Sequence, residues 1–230
     1  CKNGDRKLKE SLTLLKGDVI AMGRKVDTTL GEMNKMLRRE ATASMAFIEQ
    51  QEEEINAACH NIEEKCLDML LEKGSLNAKE IRTLVSITII IAKLERIADH
   101  ANRVAKVADW AKEEDIAIPQ ELIEMASVVH QMAKDILIVF LTDSSEKAKE
   151  ILKRDNSVDY LHDKLSKELL GDLGDQDRGN AQLRAQFLFC NRFLERMGDA
   201  CVSIAKRVYF IATGERLKAS AMDISSQAKG

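Results

Sequence analysis

The chain has 230 residues, a formal net charge of -3, and 45% hydrophobic and 32% charged residues. Such values exclude a disordered segment, and they give no net field that would draw nucleic acid or anionic lipid. Aromatics are only 4% and Pro119 is the one proline, so a β-sandwich or barrel is disfavoured and long helices are favoured.

Five cysteines, Cys1, Cys59, Cys66, Cys190 and Cys201, are scattered and form no CxxC. They read as reduced, buried thiols of a cytoplasmic protein, with Cys59 and Cys66 on one core seam. No signal peptide is visible. The most apolar run, from Val85 to Ala92, is far shorter than the ~20 residues that cross a bilayer. The opening Cys1 is compatible with a numbering that begins inside a longer protein, and with a lipidated N-terminal Cys.

The first helix is expected over 5–41, where Leu8, Leu12, Leu15, Val19, Met22, Val26, Leu30, Met33 and Leu37 recur at three- and four-residue steps. A second helix is expected over 42–72, with Phe47, Ile48, Ile55, Cys59, Ile62, Cys66, Met69 and Leu70 inward and Gly74 and Ser75 as its stop. Asn77 with Glu80 three residues on predicts a capping box for a third helix ending near Glu113. That helix is expected to bury Ile81, Leu84, Val85, Leu94, Ile97, Ala98, Ala101, Val104 and Ala105. After a polar break, Pro119 suits the first turn of a fourth helix to 142, with Leu122, Met125, Val129, Met132, Ile136 and Phe140 inward. Residues 142–145 read as a turn and N-cap, followed by a fifth helix over 145–170. A glycine-rich loop over 171–179 precedes a sixth helix over 180–213, which Gly214 closes.

Three helices, a break and three more imply a duplication. The segment LERIADHANRVAK at 94–106 matches LERMGDACVSIAK at 194–206 at an offset of 100. The expected architecture is all-α, two tandem antiparallel three-helix bundles over 1–117 and 118–230, elongated because 35-residue helices are ~50 Å long.

The repeat carries the chemistry. Glu95 and Asp99, and again Glu195 and Asp199, stand four apart, which places each carboxylate pair on one helix face. Asp155 and Asp159 repeat the spacing on the middle helix of the second half; Glu52 and Asn56 hold the same places in the first. If middle and third helices pack side by side, the pairs meet, and clustered carboxylates need a cation: Mg²⁺, Mn²⁺, Ca²⁺ or iron suits oxygen donors. The structural alternative is a solvated acidic face, with Arg96 and Arg196 in ordinary ion pairs. His60, His100, His130 and His162 share no spacing, and no Glu-x-x-His, P-loop, GxGxxG or nucleophile–base set is present. Arg38, Arg39 and Arg82 read as surface charges, and Trp110 alone offers no base-stacking platform.

At these motifs the sequence resembles the PhoU family. LERIADHA at 94–101 is similar to that family's LERIGDHA signature, repeated at 194–199. Ala21-Met22-Gly23, the segment AKEIR at 78–82 and VYFIATGE at 208–215 resemble its other conserved stretches. The resemblance covers about residues 6–216. It implies tandem three-helix bundles, no enzymatic activity, and metal ions (iron, zinc, manganese or magnesium) held by Asp155, Asp159, Glu195 and Asp199 in one half and by Glu52, Glu95 and Asp99 in the other. Asn56 replaces an acid there, and Arg103 and Ser203 stand where the family commonly has Asn, so the better site is expected in the second half. The resemblance further implies a cytoplasmic negative regulator of phosphate uptake and of phosphate-starvation signalling. Its implied partners are the ATPase of a phosphate ABC transporter, a sensor histidine kinase and a second copy of itself; it would meet the membrane only through them and bind no nucleic acid. Alternative expectations are a cytosolic domain of a sodium/phosphate cotransporter and a metal-dependent hydrolase.

Overall fold

The structure is a computed structural model that describes residues 2–71, 76–171 and 178–217, with side chains from 8–71, 76–171 and 181–217. Six helices follow in order: α1 Lys2–Leu37, α2 Met45–Leu71, α3 Ala78–Glu113, α4 Gln120–Thr142, α5 Ser145–Gly171 and α6 Arg178–Thr213. Among the described residues there is no strand. The expected stop at Gly74 and Ser75 and most of the expected loop over 171–179 lie outside the described residues.

Helix starts follow side-chain chemistry. Asn77 Oδ1 accepts from the backbone N–H of Lys79 and Glu80, and Glu80 accepts from the Asn77 N–H, so the capping box is present. Ser44 and Ser144 each accept from the N–H three residues on and start α2 and α5. Pro119, with φ -54° and ψ 136°, stands just before α4 rather than in its first turn.

Of the helix ends, that of α1 departs from the expectation. α1 stops at Leu37, not Ala41, because Arg39 takes φ 58°. The Glu40 N–H then reaches back to the Lys35 carbonyl and the Arg39 N–H to that of Met36, a Schellman closure. Asp115, φ 53°, ends α3 in the same way, and Asp143, φ 48°, ends α4. Each of these residues puts its charge to use. Arg39 donates to the carbonyls of Ala111 and Ile116 and pairs with Asp115, while Asp143 accepts from Lys16 at 2.9 Å. Arg38 donates to Ser127 Oγ on α4 at 2.7 Å. Arg38 and Arg39 are therefore joints between segments, not free surface charges.

Helices α1, α2 and α3 pack together, as do α4, α5 and α6, and the two triplets meet along α3 against α6 and α1 against α4. Their apolar faces form one continuous core running from Leu15 on α1 to Ile211 on α6. At the α1–α4 crossing, a Cβ at Gly23 would collide with Leu137; the glycine lets the two helices approach. α4 is long and apolar enough, by composition, to cross a membrane, but Leu122, Met125, Val129, Met132, Ile136 and Phe140 are buried in the core as the periodicity predicts.

Four core expectations fail. Ile81 and Val85 are exposed, at 43% and 44%. α3 touches α1, α2 and α6, and that wide contact turns Thr83, Ser86, Ile87 and Ile90 inward in their place. Leu70 is exposed at the end of α2 and Phe47 is only half-buried at its start, because both lie beside the stripe Ile48, Ile55, Ile62, Met69 that faces the core. Cys66, Cys190 and Cys201 are buried and Cys59 is half-buried, all as free thiols. Burial pushes the Cys66 thiol up to about 11 and that of Cys190 to about 12, so neither is a thiolate at neutral pH.

Candidate metal centre

α5 and α6 run side by side and bring the acids of the second half into one field. Asp155 is half-buried. Burial, and after it the charges of Asp159, Asp199 and Glu195, push its carboxyl up to about 6, with Lys206 opposing. Glu195 is raised too, by burial first and then by Asp199; Arg192 and His162 pull it down, and Asp159 adds to the rise. The charges of Asp159, Asp199 and Glu195 thus reach Asp155, and those of Asp199 and Asp159 reach Glu195.

Gly198 makes the approach possible. A Cβ there would lie 2.8 Å from Asp155 Oδ1 and 3.2 Å from Val158 Cγ1. The glycine sits between Glu195 and Asp199 in the repeated motif, and Ala98 holds the equivalent place in the first half. That difference between the two copies is a further signal, beside Asn56, for a tighter second site.

The first half holds Glu52, Glu95 and Asp99 in a similar relation. Burial raises the Glu52 carboxyl, Asp99 and Glu95 raise it further, and Lys106 and Arg103 oppose them. Here the chain supplies its own partners. Asn102 donates to Glu52, and Arg103 Nε donates to Asp99 Oδ1 at 3.1 Å. The second half has Val202 and Ser203 at these two places and lacks both contacts. Asn56 is half-buried beside Glu52's face of α2 and adds no charge to the cluster.

Among the described residues, no three His, Cys, Asp or Glu side chains are gathered closely enough to hold a metal ion as they stand. The chemistry of the second cluster still fits a hard cation. Asp159, Asp199 and Glu195 all act on the half-buried Asp155, and Glu195 Oε2 is buried without a hydrogen bond. Arg192 Nη1 is 2.9 Å from that oxygen, near enough for charge attraction but out of line for a hydrogen bond. His162 was not singled out by spacing, yet it lies within the field of Glu195 with its Nδ1 buried and unbonded. The adjacent Asn191 donates to the His162 carbonyl and to Ser166 Oγ, bracing α5 against α6.

Comparison with known proteins agrees with this architecture. The PhoU domain model matches the chain twice, over residues 19–108 and 122–208. A phosphate-specific transport system accessory protein PhoU homolog of Clostridium acetobutylicum is 27% identical over 92% of this chain and 97% of that protein. Its namesake in Borreliella burgdorferi is 32% identical over 74% and 78%. The crystal structure of the phosphate transport system regulatory protein PhoU from Streptococcus pneumoniae superposes with a TM-score of 0.82 at 26% identity, covering 92% of this chain and 99% of that one. With two family matches that together span most of its length, one on each triplet of helices, the chain belongs to the PhoU domain family.

Proposed function

We propose that the chain is a regulatory accessory protein of phosphate uptake that works through partners rather than by catalysis. The likeness to the Clostridium acetobutylicum accessory protein along nearly the full length of both chains carries this reading. In finer detail, the protein restrains a phosphate ABC transporter through its ATPase and restrains a sensor histidine kinase when phosphate is plentiful, from the cytoplasm and as a homodimer. Affinity capture from phosphate-replete cells should recover the transporter ATPase and the kinase, and deletion should switch on phosphate-starvation genes at high phosphate. Recovery of neither partner, with gene expression unchanged, would overturn the proposal. So would phosphate-ester hydrolysis by pure protein that Asp199→Ala abolishes.

The carboxylate faces add a cation site to this role. Asp155, Asp159, Glu195 and Asp199 hold a divalent or iron cation by oxygen coordination, and its charge would offset the burial and the repulsion that raise Asp155. Glu52, Glu95 and Asp99 form the weaker counterpart, since Arg103 and Asn102 already engage them. Elemental analysis should find metal on the purified protein and at least tenfold less on the variant carrying Ala at 155, 159, 195 and 199, with helicity retained. Equal metal on both proteins would remove the site from these residues.

A further inference from the structure

A second charged feature lies on α6 just beyond the acids, and its sign is opposite. Ser203, Lys206, Arg207 and Phe210 follow at helical spacing on one face. With Arg216 and Leu217 from the segment after α6 they line a cleft of about 190 Å³ that contains no carboxylate. Arg82 of α3 stands over the Phe210 ring at 5.9 Å. A Cβ at Gly214 would meet its guanidinium carbon at 3.4 Å, and its Nε is buried with no hydrogen-bond partner. Arg82 is thus not the free surface charge that its sequence context suggests.

Four cations gathered around one aromatic ring repel one another. Among the described residues, none of the four has a carboxylate within ion-pair distance, although Lys206 feels Asp155 at longer range. The negative end of the α6 dipole favours cations beside Gly214, which accounts for Arg82 and Arg216. It fades within the last turn and does not account for Lys206 and Arg207 further up the helix.

We propose that this cleft binds a phosphate-type oxyanion. Arg207 and Arg216 supply planar, forked N–H donors that match two oxygens of a tetrahedral anion, and Lys206 supplies a compact charge. Ser203 adds a hydroxyl donor, and Phe210 forms a wall that limits hydration on one side. This reading does not depend on the regulatory proposal, because it concerns the anion alone.

Inorganic phosphate, titrated calorimetrically into the chelator-treated full chain, is the test. Saturable binding is expected. Arg207→Gln with Arg216→Gln should weaken it at least tenfold, Lys206→Gln should weaken it by a smaller factor, and Lys164→Gln, remote on α5, should leave it unchanged. Flotation with phosphatidylglycerol vesicles against phosphatidylcholine vesicles identifies the source of the oxyanion. Vesicle binding that the double variant loses, without saturation by free phosphate, assigns the cleft to a lipid headgroup. Binding of either kind that the double variant keeps within twofold, or that chelation alone removes, would overturn the proposal, as would no binding of either kind. The Lys206→Gln arm decides the matter if the double variant does not fold.

Discussion

At the scale of single residues, Asp155 shows what the carboxylate cluster costs the metal-free protein. Its carboxyl moves from an ordinary 3.8 up to about 6 on folding. An acid whose pKa rises on folding binds its proton more tightly in the native state, so stability falls as pH rises between these values. Two units at about 1.4 kcal/mol each would be ~3 kcal/mol, and partial solvent access brings this to about 1–2 kcal/mol. Asp155→Asn should therefore stabilise the chelated protein by about 1–2 kcal/mol at pH 7.5 and by much less at pH 4, measured by urea unfolding. If a cation binds, adding it should reverse the order at pH 7.5, because only the wild-type site gains from mass action. An Asn variant no more stable than wild type at pH 7.5 would show that the acids do not strain the fold. The acids themselves were legible from their four-residue spacing and their repetition. Their inequality was legible in part from Asn56 and Arg103; the roles of Asn102 and Gly198 were not, because these act through contacts that only the packing of α2 on α3 and of α5 on α6 creates.

At the scale of helices, two glycines of α1 separate local propensity from packing. Nothing lies within 4 Å of a Cβ built on Gly17, whereas one on Gly23 strikes Leu137 of α4. Gly17→Ala should stabilise the protein by about 0.5–1 kcal/mol, the usual gain from replacing a mid-helix glycine. Gly23→Ala has the same local gain but must push α4 away or force Leu137 from its rotamer, at about 1–3 kcal/mol, so it should be the less stable of the two by at least 1 kcal/mol. Thermal unfolding of both variants checks this, and equal midpoints would mean that the α1–α4 crossing yields freely. The same contrast explains what the sequence could show about the elements. The starts of α3 and α5 were legible because Asn77 and Ser144 announce them with their own side chains, whereas α2, expected from 42, starts at Met45 behind a Ser44 cap. The end of α1 was not legible, because Arg39 takes a positive φ that sequence reasoning reserves for glycine; the ends of α3 and α4 fell where the polar breaks placed them, although Asp115 and Asp143 close them in the same left-handed region. Among the described residues, Gly214, with φ 78°, is the one glycine that ends a helix in the left-handed region.

At the scale of the whole molecule, the duplicated halves are joined by two seams, and each contains a histidine whose pKa is lowered, His100 buried and His130 half-buried. In the α3–α6 seam, His100 stacks on Phe193 with centroids 5.2 Å apart and planes 25° apart, and neither ring nitrogen has a hydrogen bond. Burial lowers its pKa; Asp99 opposes that, while Arg196, Arg103 and Arg96 add to it. In the α1–α4 seam, His130 Nε2 is 2.7 Å from Asp27 Oδ1. Burial lowers its pKa as well, against the pull of Asp27 and with Lys134 adding to the decrease. Both groups have the same linkage sign. Above pH 6.5 the ring is neutral folded or unfolded and nothing is lost. As pH falls below that value the unfolded chain takes the proton first, and stability falls until the lowered native pKa is passed. Asp155, Glu195 and Glu52 act in the opposite direction as the solution is acidified, so wild-type stability alone does not isolate the seam. The difference between wild type and His100→Phe does, since phenylalanine keeps the stack on Phe193 and cannot titrate. From pH 7.5 to pH 5 the wild type should lose stability relative to His100→Phe, with a slope approaching ~1.4 kcal/mol per pH unit for one proton. Because one core runs through both halves, that loss should appear in a single cooperative urea transition rather than in the unfolding of one half alone. Parallel pH profiles for the two proteins would place His100 in water, outside the seam, and two separate transitions would mean that the shared core does not bind the halves into one cooperative unit.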